Sequence, residues 1–337
     1  MASRRRQIAV LVVSTILGLA VMPSVMISPA YGAFGDILAE CNTIHDPSLH
    51  HPAGPGAVAL MSDGTYLYYT LVRETIFKIT VNCIPVSSCT SPVGAIGALS
   101  FDPADGNAWA GSYGGTTRIW KLNPTTCDTV LPPFVATHGG ITVGDISPAI
   151  DGLALDTSDG TLWWSSDQGK HIHHITTSNA IIGTCNTPPP FGAASGNAFN
   201  SGIAYNKVQD NLILVLFTGL AAKGIGLPYS IAEANKADSG TCTKIVEFDI
   251  GDYLAEDLEV DTLTFPGKLA VWSIETQFEP ERARAWEIKL IPVGVPEFSL
   301  AAPVLAALAA LTARPVRLLL GKKARVVISS LAVFLRG

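Results

Sequence analysis

The stretch that decides the fold is Ala149 to Ile175, AIDGLALDTSDGTLWWSSDQGKHIHHI. A small-residue turn leads into an alternating apolar run at Leu153 and Leu155, and Asp159-Gly160 then reverses the chain. An aromatic run follows at Leu162, Trp163 and Trp164, and a third short run closes on Ile172 and Ile175. Alternation with period two buries one side of a strand, and an Asp-Gly pair between two such runs is a strong hairpin signal.

The same pattern recurs five times. Its opening strand reads AVAL from Ala57, ALSF from Ala98, GLAL from Gly152, GIAY from Gly202 and DLEV from Asp257. The first inward positions are Val58, Leu99, Leu153, Ile203 and Leu258, spaced by 41, 54, 50 and 55 residues. Turns follow at Asp63-Gly64, Asp105-Gly106, Asp159-Gly160, Asp210-Asn211 and Pro266-Gly267; all but the last suit a left-handed turn residue. A second strand carries Tyr66 to Tyr69, Trp109, Trp163-Trp164, Leu212 to Leu216 and Val271-Trp272. A third is marked by apolar pairs at Ile76/Ile79, Ile119/Leu122, Ile172/Ile175, Ile245/Phe248 and Ala285/Ile288. Three or four strands per period of about 50 residues predict an all-β propeller of about five to six blades. Trp109, Trp163 and Trp272 are expected between the sheets. In copy four the run from Leu216 to Thr243 reads as a rim insertion, and Cys185 to Asn200, with three consecutive prolines, as a second rim loop.

Composition agrees. Of 337 residues only 15% are charged, and 31 Gly and 22 Pro are spread along the chain, which favours many short strands over helices. Charge is uneven: between Ala33 and Pro296 there are 13 Lys/Arg against 27 Asp/Glu, a net of −14. So acidic a surface repels phosphate backbones and argues against nucleic-acid binding.

The two ends read as targeting segments. Residues 1–32 combine Arg4, Arg5 and Arg6, an apolar run from Ile8 to Met22, and small residues near Ala30 and Gly32, the order of a secretory signal peptide. The body is expected over residues 33–293. Residues 294–337 open with Pro296, Glu297 and Phe298, continue in an uncharged run of 16 residues from Phe298 to Ala313, and carry Arg314, Arg317, Lys322, Lys323 and Arg325. This tail resembles the PEF-type sorting tails of archaeal surface proteins, which implies a short membrane helix with its basic cluster in the cytoplasm. The chain continues past that pattern in a further apolar patch, Val326 to Leu335. Six cysteines, Cys41, Cys83, Cys89, Cys127, Cys185 and Cys242, all lie in the body; in an exported chain they predict three disulfides, with fifteen pairings open.

Copy three also resembles the blade signature of the superfamily that includes gluconolactonases, streptogramin lyases and NHL-repeat proteins. The resemblance covers roughly Gly54 to Ile291 and implies a propeller with a central channel. In the gluconolactonases, Glu, Asn and Asp side chains just before the inner strands bind a metal. The corresponding column here is Gly56, Gly97, Asp151, Ser201 and Glu256. The resemblance therefore nominates Asp151, Ser201 and Glu256 for binding, with Asp151 and Glu256 as ligands of calcium or another divalent cation in an acidic funnel. The two glycines would leave that funnel room for water.

Other chemistry is sparse. There is no phosphate loop, GxSxG elbow or HExxH. His171, His173 and His174 fall on a strand where His173 takes a packing column, and His45, His50 and His51 lie in a Pro-rich lead-in. Seven carboxylates between Glu247 and Asp261 (Glu247, Asp249, Asp252, Glu256, Asp257, Glu259 and Asp261) read as a solvated charged face. The function expected is that of an exported, membrane-tethered propeller acting as a cell-surface binding module for surface proteins or small ligands. A metal-assisted lactonase, hydrolase or lyase working in the channel is the alternative, and a structural envelope protein a third reading.

Overall fold

Five four-stranded antiparallel sheets repeat along the chain, and a strand from the N-terminal side closes the ring. The computed structural model describes residues 35–41, 57–71, 74–136, 149–166, 169–190, 198–218, 229–251, 255–275 and 282–288, all within one compact unit, Gly32–Ile291. The expectations for the leader 1–32, the tail 294–337 with Pro296, Glu297 and Phe298, and for His45, His50, His51 and Gly56 lie outside the described residues.

Strand β1 (Ile37–Cys41) comes first but joins the last blade. Blade 1 is β2 (Ala57–Ser62), β3 (Tyr66–Leu71), β4 (Thr75–Thr80) and β5 (Pro85–Thr90). Blade 2 is β6 (Ile96–Asp102), β7 (Asn107–Ser112), β8 (Arg118–Leu122) and β9 (Thr129–Val135). Blade 3 is β10 (Gly152–Asp156), β11 (Thr161–Ser165), β12 (His171–Thr176) and β13 (Ile181–Asn186). Blade 4 is β14 (Ala198–Asn206), β15 (Asn211–Thr218), β16 (Tyr229–Asn235) and β17 (Lys244–Gly251). Blade 5 is β18 (Ala255–Asp261), β19 (Leu269–Glu275) and β20 (Ala283–Ile288), completed by β1 on the outside of β20. The fold is a five-bladed β-propeller, with four strands in every blade.

No blade has a core of its own. Five apolar clusters each join two consecutive blades, one per seam. Alternation explains how one strand serves two seams: Trp163 packs toward blade 4 and its neighbour Trp164 toward blade 2. Trp109, Trp163 and Trp272 are all buried, as the pattern requires. Three disulfides cross the seams as well: Cys41–Cys83 joins blades 5 and 1, Cys89–Cys127 blades 1 and 2, and Cys185–Cys242 blades 3 and 4.

The first hairpins of the blades turn through the expected residues. Gly64, Gly106, Gly160, Asp210 and Gly267 have φ of 83°, 73°, 75°, 58° and 74°, so Pro266-Gly267 also reverses the chain through a left-handed residue. In blades 2 and 3 the turn is closed by Gly106 and Gly160 donating to the carbonyls of Asp102 and Asp156. Those two aspartates are clamped by lysines, Asp102 by Lys121 of its own blade at 2.6 Å and Asp156 by Lys236 of blade 4 at 2.7 Å.

Copy four departs from the expected layout. Part of the expected insertion, Tyr229–Asn235, is the blade's third strand, and Ile245/Phe248 belong to the fourth. YSIAEAN keeps Ile231 but ends its apolar pair on the small Ala234, so its pattern is weak, although Ile231, Ala232 and Ala234 are buried. The histidines of β12 pack: His173 stacks on Trp164 at 4.2 Å and His174 on Trp163 at 3.9 Å, with His174 Nδ1 2.7 Å from Asp238.

Candidate functional site

Closing five sheets into a ring leaves the free edges of β2, β6, β10, β14 and β18 facing one axis. Backbone N–H groups there need partners that no sixth strand can supply. β18 supplies several. Its sequence AEDLEVD sets Asp257, Glu259 and Asp261 at alternate positions, which puts all three on one side of the strand.

Asp257, fully buried, reaches across the axis. Its Oδ2 accepts from the N–H of Leu60 in blade 1 at 3.1 Å and of Leu99 in blade 2 at 2.9 Å, and its Oδ1 from Leu258 at 3.0 Å. Glu259 accepts from the Phe101 N–H at 3.1 Å, and Ser100 Oγ accepts from the Leu155 N–H of blade 3 at 2.9 Å. Asp261 accepts from Ser62 of blade 1, from the indole N–H of Trp272 at 3.0 Å, and from the backbone of Leu263 and Thr264. Side chains thus replace water along the channel, and blade 5 is hydrogen-bonded directly to blades 1 and 2.

The electrostatics differ with depth. Burial pushes the Asp257 carboxyl well above the usual carboxylate range, although three backbone N–H groups pull the other way. Glu259 is pushed up to about 8, first by burial and then by the charge of Asp261, with its N–H bonds and Lys207 opposing. At Asp261 burial also pulls upward, but the donors from Thr264, Leu263 and Trp272 outweigh it and hold the group below its usual range. The carboxylate-rich segment is therefore not a solvated face. Of its members Glu247, Glu256, Asp257 and Asp261 are buried and Glu259 is only partly exposed, while Asp249 is exposed. What the charge count missed was the period of two along β18.

At the mouth where the inner strands begin, the structure brings Ser201 and Glu256 together: the Ser201 hydroxyl donates to Glu256 Oε2. Asp151 lies just before β10, its N–H bonded to the Ser165 carbonyl. Asp151, Ser201 and Glu256 are all buried, so the acidic funnel expected here is a packed cluster instead. Glycine explains the close packing. A Cβ at Gly97 would lie 2.4 Å from the Ile150 carbonyl, at Gly152 2.6 Å from that of Ser201, and at Gly202 2.4 Å from that of Glu256. Gly97 thus admits a neighbouring backbone, not water.

Asn200 is the residue the sequence reading missed. It is fully buried one position before the nominated column, its amide nitrogen donates to Ser165 Oγ at 2.7 Å, and its Oδ1 has no hydrogen-bond partner. Asn200 Oδ1 and the carboxylates of Asp151 and Glu256 are oxygen donors of the kind hard cations take. Among the described residues, no three His, Cys, Asp or Glu side chains converge as a metal-binding group.

The opposite mouth is open. A pocket of about 90 Å³ is lined from all five blades, including Ser62, Phe101, Leu155, Tyr205, Lys207 and Glu259. A larger cleft of about 660 Å³ extends over the seam between blades 2 and 3, past Trp109, Lys121 and Leu131.

No protein-family model matches the chain, and no curated protein matches it. Solved structures resemble it at the level of fold. A luciferin-regenerating enzyme is 11% identical over 70% of this chain and 96% of its own, with a TM-score of 0.43. A protein of unknown function from Bacteroides caccae is 11% identical over 66% of this chain and 73% of its own, at 0.40. The Cps50 (Swd1) β-propeller domain from Myceliophteria thermophila is 10% identical over 71% and 85%, at 0.38. At such identities these likenesses say nothing about activity.

Proposed function

We propose that this chain is an exported β-propeller, held at the cell surface by its C-terminal segment, that works as a binding module. The observation that carries the reading is the set of three disulfides, which uses all six cysteines and sews the five blades into two groups, blades 5, 1 and 2 and blades 3 and 4, across their seams. Such bridges form and persist in oxidising compartments. Binding follows from the channel: its middle is filled by Asp257, while the mouth beyond Glu259 keeps a pocket open to ligand. The signal-peptide pattern of residues 1–32 and the PEF-type resemblance of the tail supply the route and the anchor, and with them the archaeal surface as setting. The test is fractionation of cells expressing the full chain, with thiol alkylation under denaturing conditions. The module should sit with membranes, all six cysteines protected, and be released when the segment after Pro296 is removed. Recovery in the soluble cytoplasm with reactive thiols overturns the reading.

The orphaned Asn200 Oδ1 favours a second reading, a divalent-cation site at the packed mouth. Asp151, Asn200 and Glu256 would hold a hard cation such as calcium, with water completing its coordination. A bound cation there would supply Lewis-acid polarisation for a lactonase-like reaction. Calcium calorimetry on the wild type and Asp151→Ala decides it: loss of binding in the variant supports the site, and equal heats or none retire it.

A further inference from the structure

The pocket on the axis and the cleft beside it are contiguous. Pro103, Leu155 and Thr157 line both. The axial pocket alone holds about three waters, whereas the cleft falls within the range of ligand sites, roughly 300–1,000 Å³.

The seam it occupies is the least tied of the five. Disulfides cross the seams between blades 5 and 1, 1 and 2, and 3 and 4, and the seam between blades 4 and 5 has the largest apolar cluster. Blades 2 and 3 share neither. Apolar surface continues outward from their cleft: Val130, Leu131 and Val135 on β9, and Ile181 and Ile182 on β13, are all more than 40% exposed. In the cleft wall Trp109 is 2% exposed, and its indole N–H has no partner.

Charge sets the other end. Asp63, Glu259 and Asp261 line the axial pocket, against the one cation Lys207, which is exposed. Asp63 is positioned by the N–H groups of Thr65 and Tyr66 and by the Tyr68 hydroxyl. A body of net −14 between Ala33 and Pro296 draws cationic partners generally.

We propose that the axial pocket and the cleft form one binding site for a peptide segment bearing a lysine or arginine side chain. The basic group lies beside Glu259 and Asp261, and the main chain follows the cleft toward Leu131. This rests on the binding-module reading and names its partner. It carries a consequence that a passive groove lacks. Glu259 is faced by Asp261 on its own strand, by Lys207 and Tyr205 from blade 4 and by Asp63 from blade 1, with Asp257 below it. With Glu259 near 8, a cation placed against it at pH 7 displaces up to about 0.9 proton.

The experiment is titration calorimetry on the full chain at pH 7, in phosphate and in Tris, whose ionisation heats differ. The probes are acetyl-Leu-Lys-Leu-amide and the same peptide with norleucine in place of lysine. The lysine peptide should bind at least tenfold more tightly, release more than half a proton, and gain affinity as pH rises toward 8. Glu259→Gln should abolish the release and weaken binding at least tenfold. Lys207→Ala, at an exposed position, should tighten binding severalfold and keeps the test open if Glu259→Gln does not fold. Equal binding of the two peptides, no proton release, no response to either variant, or no binding at about 5 mM overturns the proposal. Because purified protein is used, failure of the fractionation test with a positive titration retires export alone, and the converse retires this site alone.

Discussion

Replacing Cys41 and Cys83 by serine tests how the ring is closed. β1 contributes five residues and pairs only with β20, so its hold on the ring is a short ladder, the Glu40–Arg284 ion pair and the bridge from Cys41 to blade 1. The bridge closes a span of 42 residues. Chain entropy for a loop of that length gives about 4 kcal/mol at room temperature, against a typical total of about 5–15 kcal/mol. For a body of this size the corresponding drop in Tm is about 8–16 °C. The Cys89–Cys127 bridge spans 38 residues and has nearly the same entropic worth, but it does not tie down a strand at the chain's end. Urea unfolding should therefore show similar losses for the two double-serine variants, while hydrogen exchange separates them. Only Cys41→Ser/Cys83→Ser should let the β1 and β20 amides exchange far ahead of the other blades. A loss below about 1 kcal/mol, well short of the entropic figure, or β1 amides as protected as those of β11, would refute the closure argument.

Two further outcomes are expected. Trp163→Ala, which empties a 1%-exposed position between blades 3 and 4, should cost about 3–5 kcal/mol in urea unfolding. Glu259, raised in the folded state to about 8, keeps a proton that the unfolded chain gives up near 4.5. Its contribution is fully present below the unfolded value, falls as pH rises through that window and is flat above it. Glu259→Gln should flatten the decline seen in unfolding measured from pH 5 to 8, and an unchanged slope would count against the assignment.

The blades were legible because a strand that buries one side repeats its pattern every second residue; Leu153, Leu155, Trp163 and Trp164 announce two strands and two seams. The closing strand was not: Ile37 to Cys41 lies outside the repeat, and its place depends on pairing with residues some 245 positions away. Copy four hid its third strand because Ala232 and Ala234 sit where blades 1 and 2 place Phe77 and Ile79, and Trp120 and Leu122. Asp151, Ser201 and Glu256 were identified by column, and the structure packs them at one mouth of the channel. Their shielding by Gly97, Gly152 and Gly202 depends on the approach of neighbouring backbones, which a single strand's sequence does not record. The role of Asp257 was hidden for the same reason, since its partners are backbone amides of two other blades.

The pairing of β1 with β20 also decides how the ring meets a pulling force. Ile37 lies beside Trp286, so the chain enters and leaves the propeller at one point, and Cys41 lies opposite Ala283 at the far end of the ladder. Tension between the two ends acts across that ladder as on a zipper, opening it one bond at a time from Ile37. The zipper runs for five residues and then stops at Cys41, where the disulfide passes the load into blade 1 at Cys83. From there the strain enters the seam between the last and first blades, which is packed along its length by Leu60, Tyr69, Trp272 and Ile274. A propeller pulled by its ends therefore gives up one short strand on its N-terminal side, where the opening stops at a covalent latch.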